Sequence, residues 1–187
     1  TGDQTCLFRS KLNKHQQYLA QLPGLAQSAA DFTMLSSAVE FHQTLLKKIS
    51  AATTRICLVA LYLENDEGGR SVMDALYAAK RANPDLDITI CVDWHRAQRG
   101  RIGAARGVTN ADWYCEMAAA QPDIAIPVYG IPVNTREALG VLHLKGFIID
   151  DCVIYSGASL NNVYLHQEDR YRYDRYQVIR NAALADT

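Results

Sequence analysis

The stretch His143-Leu144-Lys145-Gly146-Phe147-Ile148-Ile149-Asp150 has the form H-x-K-x4-D. An imidazole two residues from an ammonium suits attack on a phosphoryl centre. The imidazole supplies a nitrogen nucleophile or a proton-transfer group, and the ammonium neutralises the non-bridging oxygens. Read as a strand, the segment puts His143 and Lys145 on one face with Phe147 and Ile149. Asp150 falls on the other face; it counts with His143 and Lys145 in the motif's catalytic group, and its predicted role there is to hold the turn. The bland alternative is an edge strand with two solvated residues. Asp150-Asp151 signals a turn and Val153-Ile154-Tyr155 a second strand, which places the motif in a hairpin. Ser156-Gly157-Ala158-Ser159-Leu160-Asn161 follows, a small polar cluster suited to hydrogen-bonding a phosphate.

The surrounding pattern predicts the elements that must hold these groups. Lys11 to Leu22 reads as a helix ending before Pro23, and Phe32 to Leu35 as a first strand. Ser36 and Ser37 can cap a helix, with Glu40 completing a capping box. Val39, Leu45, Leu46 and Ile49 give that helix its buried stripe, and His42 reads as a surface histidine. Arg55 to Leu63 is an apolar run that fits a strand buried on both faces. The acids of Glu64 to Glu67 read better as a solvated turn ahead of a helix N-terminus than as metal ligands. That helix runs from about Ser71 to Ala82, where Asn83-Pro84 stops it. Asp87 to Val92 is the next strand, so the unit is β-α-β with a right-handed crossover. Asp93-Trp94-His95-Arg96 then lies at a strand's carboxyl end, where open sheets bind ligands. A helix from Thr109 or Asn110 to Ala120, an irregular or edge strand Ile124 to Tyr129 containing Pro127, and a closing strand Tyr176 to Ile179 complete the chain. Residues 1–31 read as a helical or irregular lead-in and 32–187 as one α/β domain.

Arg96, Arg99, Arg101 and Arg106 stand with three glycines and no acid between residues 96 and 107. The stretch is either a solvated loop or an anion-binding loop in which guanidinium groups clamp phosphates. Across the 187 residues the formal net charge is −1 and 49% of residues are hydrophobic. A globular domain with no global attraction to nucleic acid follows. No apolar run reaches the roughly 18 residues needed to span a bilayer. The cysteines number five, with no C-x-x-C pair, and three sit in apolar runs. They read as reduced core residues in a cytosolic protein. No His or Cys has metal-ligand spacing, so neither metal nor other cofactor is expected.

The H-x-K-x4-D motif and the polar segment after it resemble the phospholipase D superfamily. The runs DWHRAQRGRIGA, NTREALGVLHLKGFIIDD, YSGASLNNVYLHQ and YRYDRYQVIRN are similar to the bacterial CDP-diacylglycerol–serine O-phosphatidyltransferases, over about Lys11 to Asn181. That resemblance implies a phospholipase D-like α/β fold, a mixed and mostly parallel sheet with helices on both faces. It implies phosphatidyl transfer from CDP-diacylglycerol to L-serine through a phosphatidyl-histidine, without metal. His143 would be the nucleophile and Lys145 would hold the phosphate oxygens, helped by Ser159 and Asn161. Asp174 would orient His143, as the acid of a triad does. Arg96, Arg99 and Arg101 would meet the cytidine diphosphate or an anionic membrane surface, to which the enzyme would bind peripherally on the cytoplasmic side.

The resemblance also brings departures. Long members of the family carry two such motifs and this chain has one; neither His95 nor His166 sits in that context. The second histidine is therefore expected from the other half of a longer enzyme, of which this chain would be the N-terminal half, or from a homodimer partner. The chain alone is expected to show little or no synthase activity. Asn161 also falls one place later than in many superfamily members. Two rival readings stand beside this one: a homodimeric phosphodiesterase or nuclease that uses water, and an inactive half-domain that binds lipid or a partner.

Overall fold

Residues 13–100, 108–133 and 142–187 are described by a computed structural model. Among the described residues seven strands form one sheet: β1 (Phe32–Leu35), β2 (Arg55–Ala60), β3 (Asp87–Asp93), β4 (Val128–Ile131), β5 (Gly146–Ile149), β6 (Cys152–Ser156) and β7 (Tyr176–Arg180). Their order across the sheet is β1-β7-β6-β5-β2-β3-β4. Only the β2–β3 and β3–β4 pairs are parallel; β5 and β7 run against the other five strands. The sheet is thus mixed, and "mostly parallel" holds for strand direction rather than for neighbouring pairs.

Helices α2 (Ala38–Ser50), α3 (Glu67–Ala82) and α5 (Asn110–Ala120) cover one face. Phe41 of α2 stacks on Phe147 and Tyr176 of the sheet. Ile56, Leu58, Ile88, Ile90, Phe147, Ile149 and Ile154 alternate into this core with Val72, Leu76 and Trp113 from the helices. On the other face Cys57, Val59, Cys91, Ile148 and Val153 are only half-buried. The five-residue α6 (Ala182–Asp186) touches β6 there, its Asp186 paired with Arg55. Helices therefore lie on both faces, very unequally.

Several local expectations shift. The apolar run from Arg55 is buried on one face only, and β2 ends at Ala60. Beyond it, the Leu63 backbone is held by the buried Tyr114 hydroxyl, which donates to its carbonyl and accepts from its N–H. In α2, Ser37 is the cap, but the Glu40 carboxylate accepts from Ser36 rather than closing the box on Ser37. Its buried stripe includes Phe41 and His42, and Val39 is exposed. His42 is not a surface residue: it is 8% exposed, with Nε2 2.7 Å from Ser71 Oγ across the α2–α3 contact. Asp66 caps α3, which starts at Glu67, four residues earlier than predicted, and the acidic turn lies at a helix N-terminus as expected. The strand expected from Ile124 forms only at Val128, on the sheet edge. The lead-in helix is short (α1, Lys14–Ala20) and exposed throughout.

Candidate functional site

The register brings the chemistry to one end of the sheet. Gly146, the first residue of β5, pairs with Val59 near the end of β2. Tyr176, the first residue of β7, pairs with Ser156 at the end of β6. The residues before β5, after β6, before β7 and after β2 and β3 therefore converge. His143 and Lys145 stand there, just ahead of β5 rather than within a strand as predicted. His143 is exposed and Lys145 is 9% exposed.

Lys145 donates from Nζ to the Gly157 carbonyl at 2.6 Å, which fixes the ammonium at the mouth of the Gly157–Asn161 segment. The Gly157 N–H donates to Asp174 Oδ1 at 3.3 Å, and the same oxygen accepts from the Arg175 N–H. A Cβ on Gly157 would come within 2.6 Å of Asp174 Oδ2, so this close approach requires glycine. Among the described contacts Asp174 thus holds the loop that Lys145 grips, and makes no hydrogen bond to His143. Ser159 and Asn161 are buried beside it. Asn161 donates from Nδ2 to the Tyr62 hydroxyl at 3.2 Å and to Glu64 Oε2 at 3.3 Å.

The backbone leading into His143 has its own anchor. Asp93 is fully buried; Oδ1 caps α4 (Trp94–Ala97) through the Arg96 N–H and Oδ2 accepts from the Leu142 N–H, each at 2.8 Å. One carboxylate ties the residue preceding His143 to the end of β3. The Leu160–Asn162 segment is stitched to the start of α3 in the same manner: Glu64 N–H donates to Leu160, Asn162 N–H to Asp66, and Gly68 N–H to Asn162 Oδ1.

Asp150 is at the opposite end of the sheet and leaves the catalytic group. Its carboxylate accepts from the N–H and hydroxyl groups of Thr53 and Thr54 and from the Arg55 N–H. Burial alone would raise its pKa; the Thr54, Arg55 and Thr53 donors outweigh that and hold the carboxyl well below the usual carboxylate range. Its φ of 52° fits a turn residue whose short side chain bonds locally.

Arg96 and Arg99 line a cleft of about 970 Å³ that also reaches Asn161. Arg101 and Arg106 lie outside the described residues. Residues with no signal in their local spacing complete the arrangement: Tyr62, Glu64, Asp66 and Asn162 meet the motif only through long-range packing. Burial, then the Glu64 carboxylate, raise the Tyr62 phenol above its ordinary value, so it stays protonated at neutral pH. His95 packs edge-on against Trp94, and His166 stacks on Tyr171 with a ring separation of 3.7 Å.

No protein-family model matches the chain. Against curated proteins, it is 63% identical over 96% of its length to the CDP-diacylglycerol–serine O-phosphatidyltransferase of Escherichia coli K12. This chain resembles the bacterial phosphatidylserine synthases over nearly its whole length. It spans about 40% of the length of the curated synthases it matches. The crystal structure of Haemophilus influenzae phosphatidylserine synthase superposes with a TM-score of 0.84 at 49% identity, over 91% of this chain and 38% of that one. A phospholipase D family member from Salmonella typhimurium shares the fold, with a TM-score of 0.57 at 20% identity over 83% of this chain and 88% of that one. A CDP-diacylglycerol–glycerol-3-phosphate 3-phosphatidyltransferase of Saccharomyces pastorianus is 27% identical over 83% of this chain and 30% of its own length. The phospholipase D-like fold implied by the motif is the observed one.

Proposed function

We propose that this chain supplies one half of a catalytic centre that transfers a phosphatidyl group from CDP-diacylglycerol to L-serine. The observation that supports it is the buried Lys145, fixed on Gly157 two residues from the exposed His143, at the sheet end where Asn161 and Asp174 also converge. The likeness to the synthases named above narrows the reading from phosphoryl chemistry to this reaction. An imidazole nitrogen of His143 attacks phosphorus; the N–P bond forms as the P–O bond to CMP breaks, and a second histidine protonates the departing oxygen. The same second histidine then takes the serine hydroxyl proton as that oxygen attacks phosphorus and the N–P bond breaks. Lys145 neutralises the oxygens of both transition states. Ser159 and Asn161 bound the phosphate loop, and Asp174 acts through Gly157 rather than directly on His143. Arg96, Arg99 and Arg101 meet anionic groups of the substrate.

The second histidine comes from outside the described residues, from a further stretch of a longer enzyme or from a second copy. Trp94, Leu144 and Tyr173 are exposed at the site's end of the sheet, with Arg175 nearby. Such a rim of aromatic, aliphatic and basic side chains suits docking on an anionic membrane surface. No helix among the described residues is long and apolar enough to cross a membrane.

The test is CMP release from CDP-diacylglycerol in mixed micelles, with and without serine. It is run on this chain at known oligomeric state and on the chain joined to the remainder of a long synthase. Serine-dependent CMP release with phosphatidylserine formed in either format supports the reading, and the format that works identifies the source of the second histidine. An acid-labile phosphatidyl adduct should form and be lost in His143→Ala. Phosphatidic acid as the product regardless of serine, or an adduct that survives His143→Ala, refutes it.

A further inference from the structure

We propose that the cleft between the end of β2 and the 161–172 loop holds the nucleotide half of the donor, the cytidine monophosphate that departs. This rests on the donor reading above and adds the place where the leaving group sits. The cleft adjoins the phosphate segment through Asn161, whose amide faces Tyr62 and Glu64 on its wall. Its volume of about 970 Å³ accommodates a nucleotide and far exceeds what a lone phosphate fills.

The lining chemistry excludes the lipid tails. Among the described residues on the walls Val163 is the one aliphatic side chain; the rest are arginines, tyrosines, acids, amides and a glycine. The positive charges are mounted on rings. Arg96 lies over Tyr62 with its guanidinium carbon 5.1 Å from the ring centre. Arg172, also on the lining, lies over Tyr164 at 5.7 Å and donates to its hydroxyl at 3.3 Å. A guanidinium held flat on an aromatic ring loses less freedom when it binds, and its remaining donors match phosphate oxygens in fork geometry.

The acids on the walls have structural work that draws their charge inward. Asp66 accepts from the Gly69 and Asn162 N–H groups, Glu168 from the Asn162 amide and Glu64 from the Asn161 amide. The arginines are thus the groups that face an incoming anion. The relatives in two acceptor classes, serine and glycerol 3-phosphate, share a CDP-diacylglycerol donor by name. A subsite for the donor's nucleotide is what one domain common to both would need.

The experiment is calorimetric titration of this chain with CMP, with inorganic phosphate and cytidine as fragment probes, and flotation with phosphatidylglycerol vesicles as the lipid probe. CMP should bind at least tenfold tighter than either fragment. Arg96→Ala and Arg172→Ala should each weaken CMP by about tenfold or more, the range for losing a charge-assisted hydrogen bond. Arg172→Lys should fall between wild type and alanine, which separates loss of the fork from loss of charge. Both side chains reach solvent, and unchanged circular dichroism checks that the variants fold. CMP binding no tighter than phosphate overturns the proposal, as does CMP affinity unchanged in both alanine variants. So does a pattern in which the variants lose vesicle binding and keep CMP. In the chain joined to the remainder of a long synthase, transfer activity without dependence on these arginines overturns the cleft and spares the reaction; CMP bound in the cleft with no CMP released from the donor overturns the reaction and spares the cleft.

Discussion

Removing the Asp150 carboxylate should destabilise the fold and leave the chemistry of each folded molecule intact. The carboxylate receives five hydrogen bonds, from two residues' N–H and hydroxyl groups and a third N–H, in the segment entering β2. It is partly exposed, so water replaces some of them when it is lost. With water replacing one of the five, about 0.5–1 kcal/mol for each of the other four gives about 2–4 kcal/mol. Alanine at a φ of 52° adds about 1 kcal/mol of backbone strain that aspartate tolerates better. Asp150→Ala should then cost about 3–5 kcal/mol, a fall in Tm of roughly 6–20 °C for a chain of this size. Asp150→Asn keeps one acceptor oxygen and a residue at ease in a left-handed turn, and should cost less than half as much. Urea and thermal unfolding give these values, and single-turnover CMP release by the chain joined to the remainder of a long synthase, below the lowered Tm, gives the chemistry. Because the native carboxyl has the lower pKa, its contribution is complete above about pH 4 and fades as pH falls through the native value. A normal Tm in Asp150→Asn with phosphatidyl transfer abolished would refute this, and would return Asp150 to the reacting group.

Other expectations concern the opposite end of the sheet. Lys145→Ala should reduce transfer by about 10²–10³ with a small effect on donor binding, as loss of one transition-state contact does; equal losses in kcat and in binding would argue against it. Gly157→Ala places a methyl against the Asp174 carboxylate, which can swing away, so unfolding should shift by only about 1 kcal/mol while transfer falls at least tenfold; a large stability loss with transfer intact would contradict that. Asp93→Ala orphans the Arg96 and Leu142 N–H groups and should cost about 2–4 kcal/mol, with hydrogen exchange rising at Leu142. Burial lowers the His42 pKa, so the folded state binds the proton later than the unfolded state does. Its stabilisation is present above about pH 6.5 and lost as pH falls below it; a His42→Gln variant should flatten that slope in chemical denaturation.

Much of the arrangement was legible locally. Binary pattern and caps placed β1, α2, α3, β3, the β5–β6 hairpin and β7 to within a few residues, because each has an apolar period and a stop signal of its own. The H-x-K pair was legible for the same reason: two chemical groups two residues apart need no tertiary knowledge. What was not legible depends on partners far away in the chain. Glu64 reads as a solvated turn residue until Asn161, 97 residues later, is seen to donate to it. His42 reads as polar surface until Ser71 covers it. Half-exposure of the second sheet face was hidden because Cys57, Val59 and Ile148 are as apolar as their buried neighbours. Asp174 reads as the group that orients His143 until its hydrogen bonds are seen to go to the Gly157 and Arg175 N–H groups of the loop.

The four residues between Lys145 and Asp150 are β5 itself, Gly146–Ile149. At about 3.3 Å per residue they span roughly 13 Å, the depth of the sheet at this strand. The motif is therefore a gauge with a chemical end and a mechanical end, and its fixed interval measures the distance between them. One added residue would swap the inward set Phe147 and Ile149 for the outward set. A length change here would be felt as misfolding before any reaction was attempted. A sequence pattern usually taken as a catalytic signature is, over half its length, a specification of thickness.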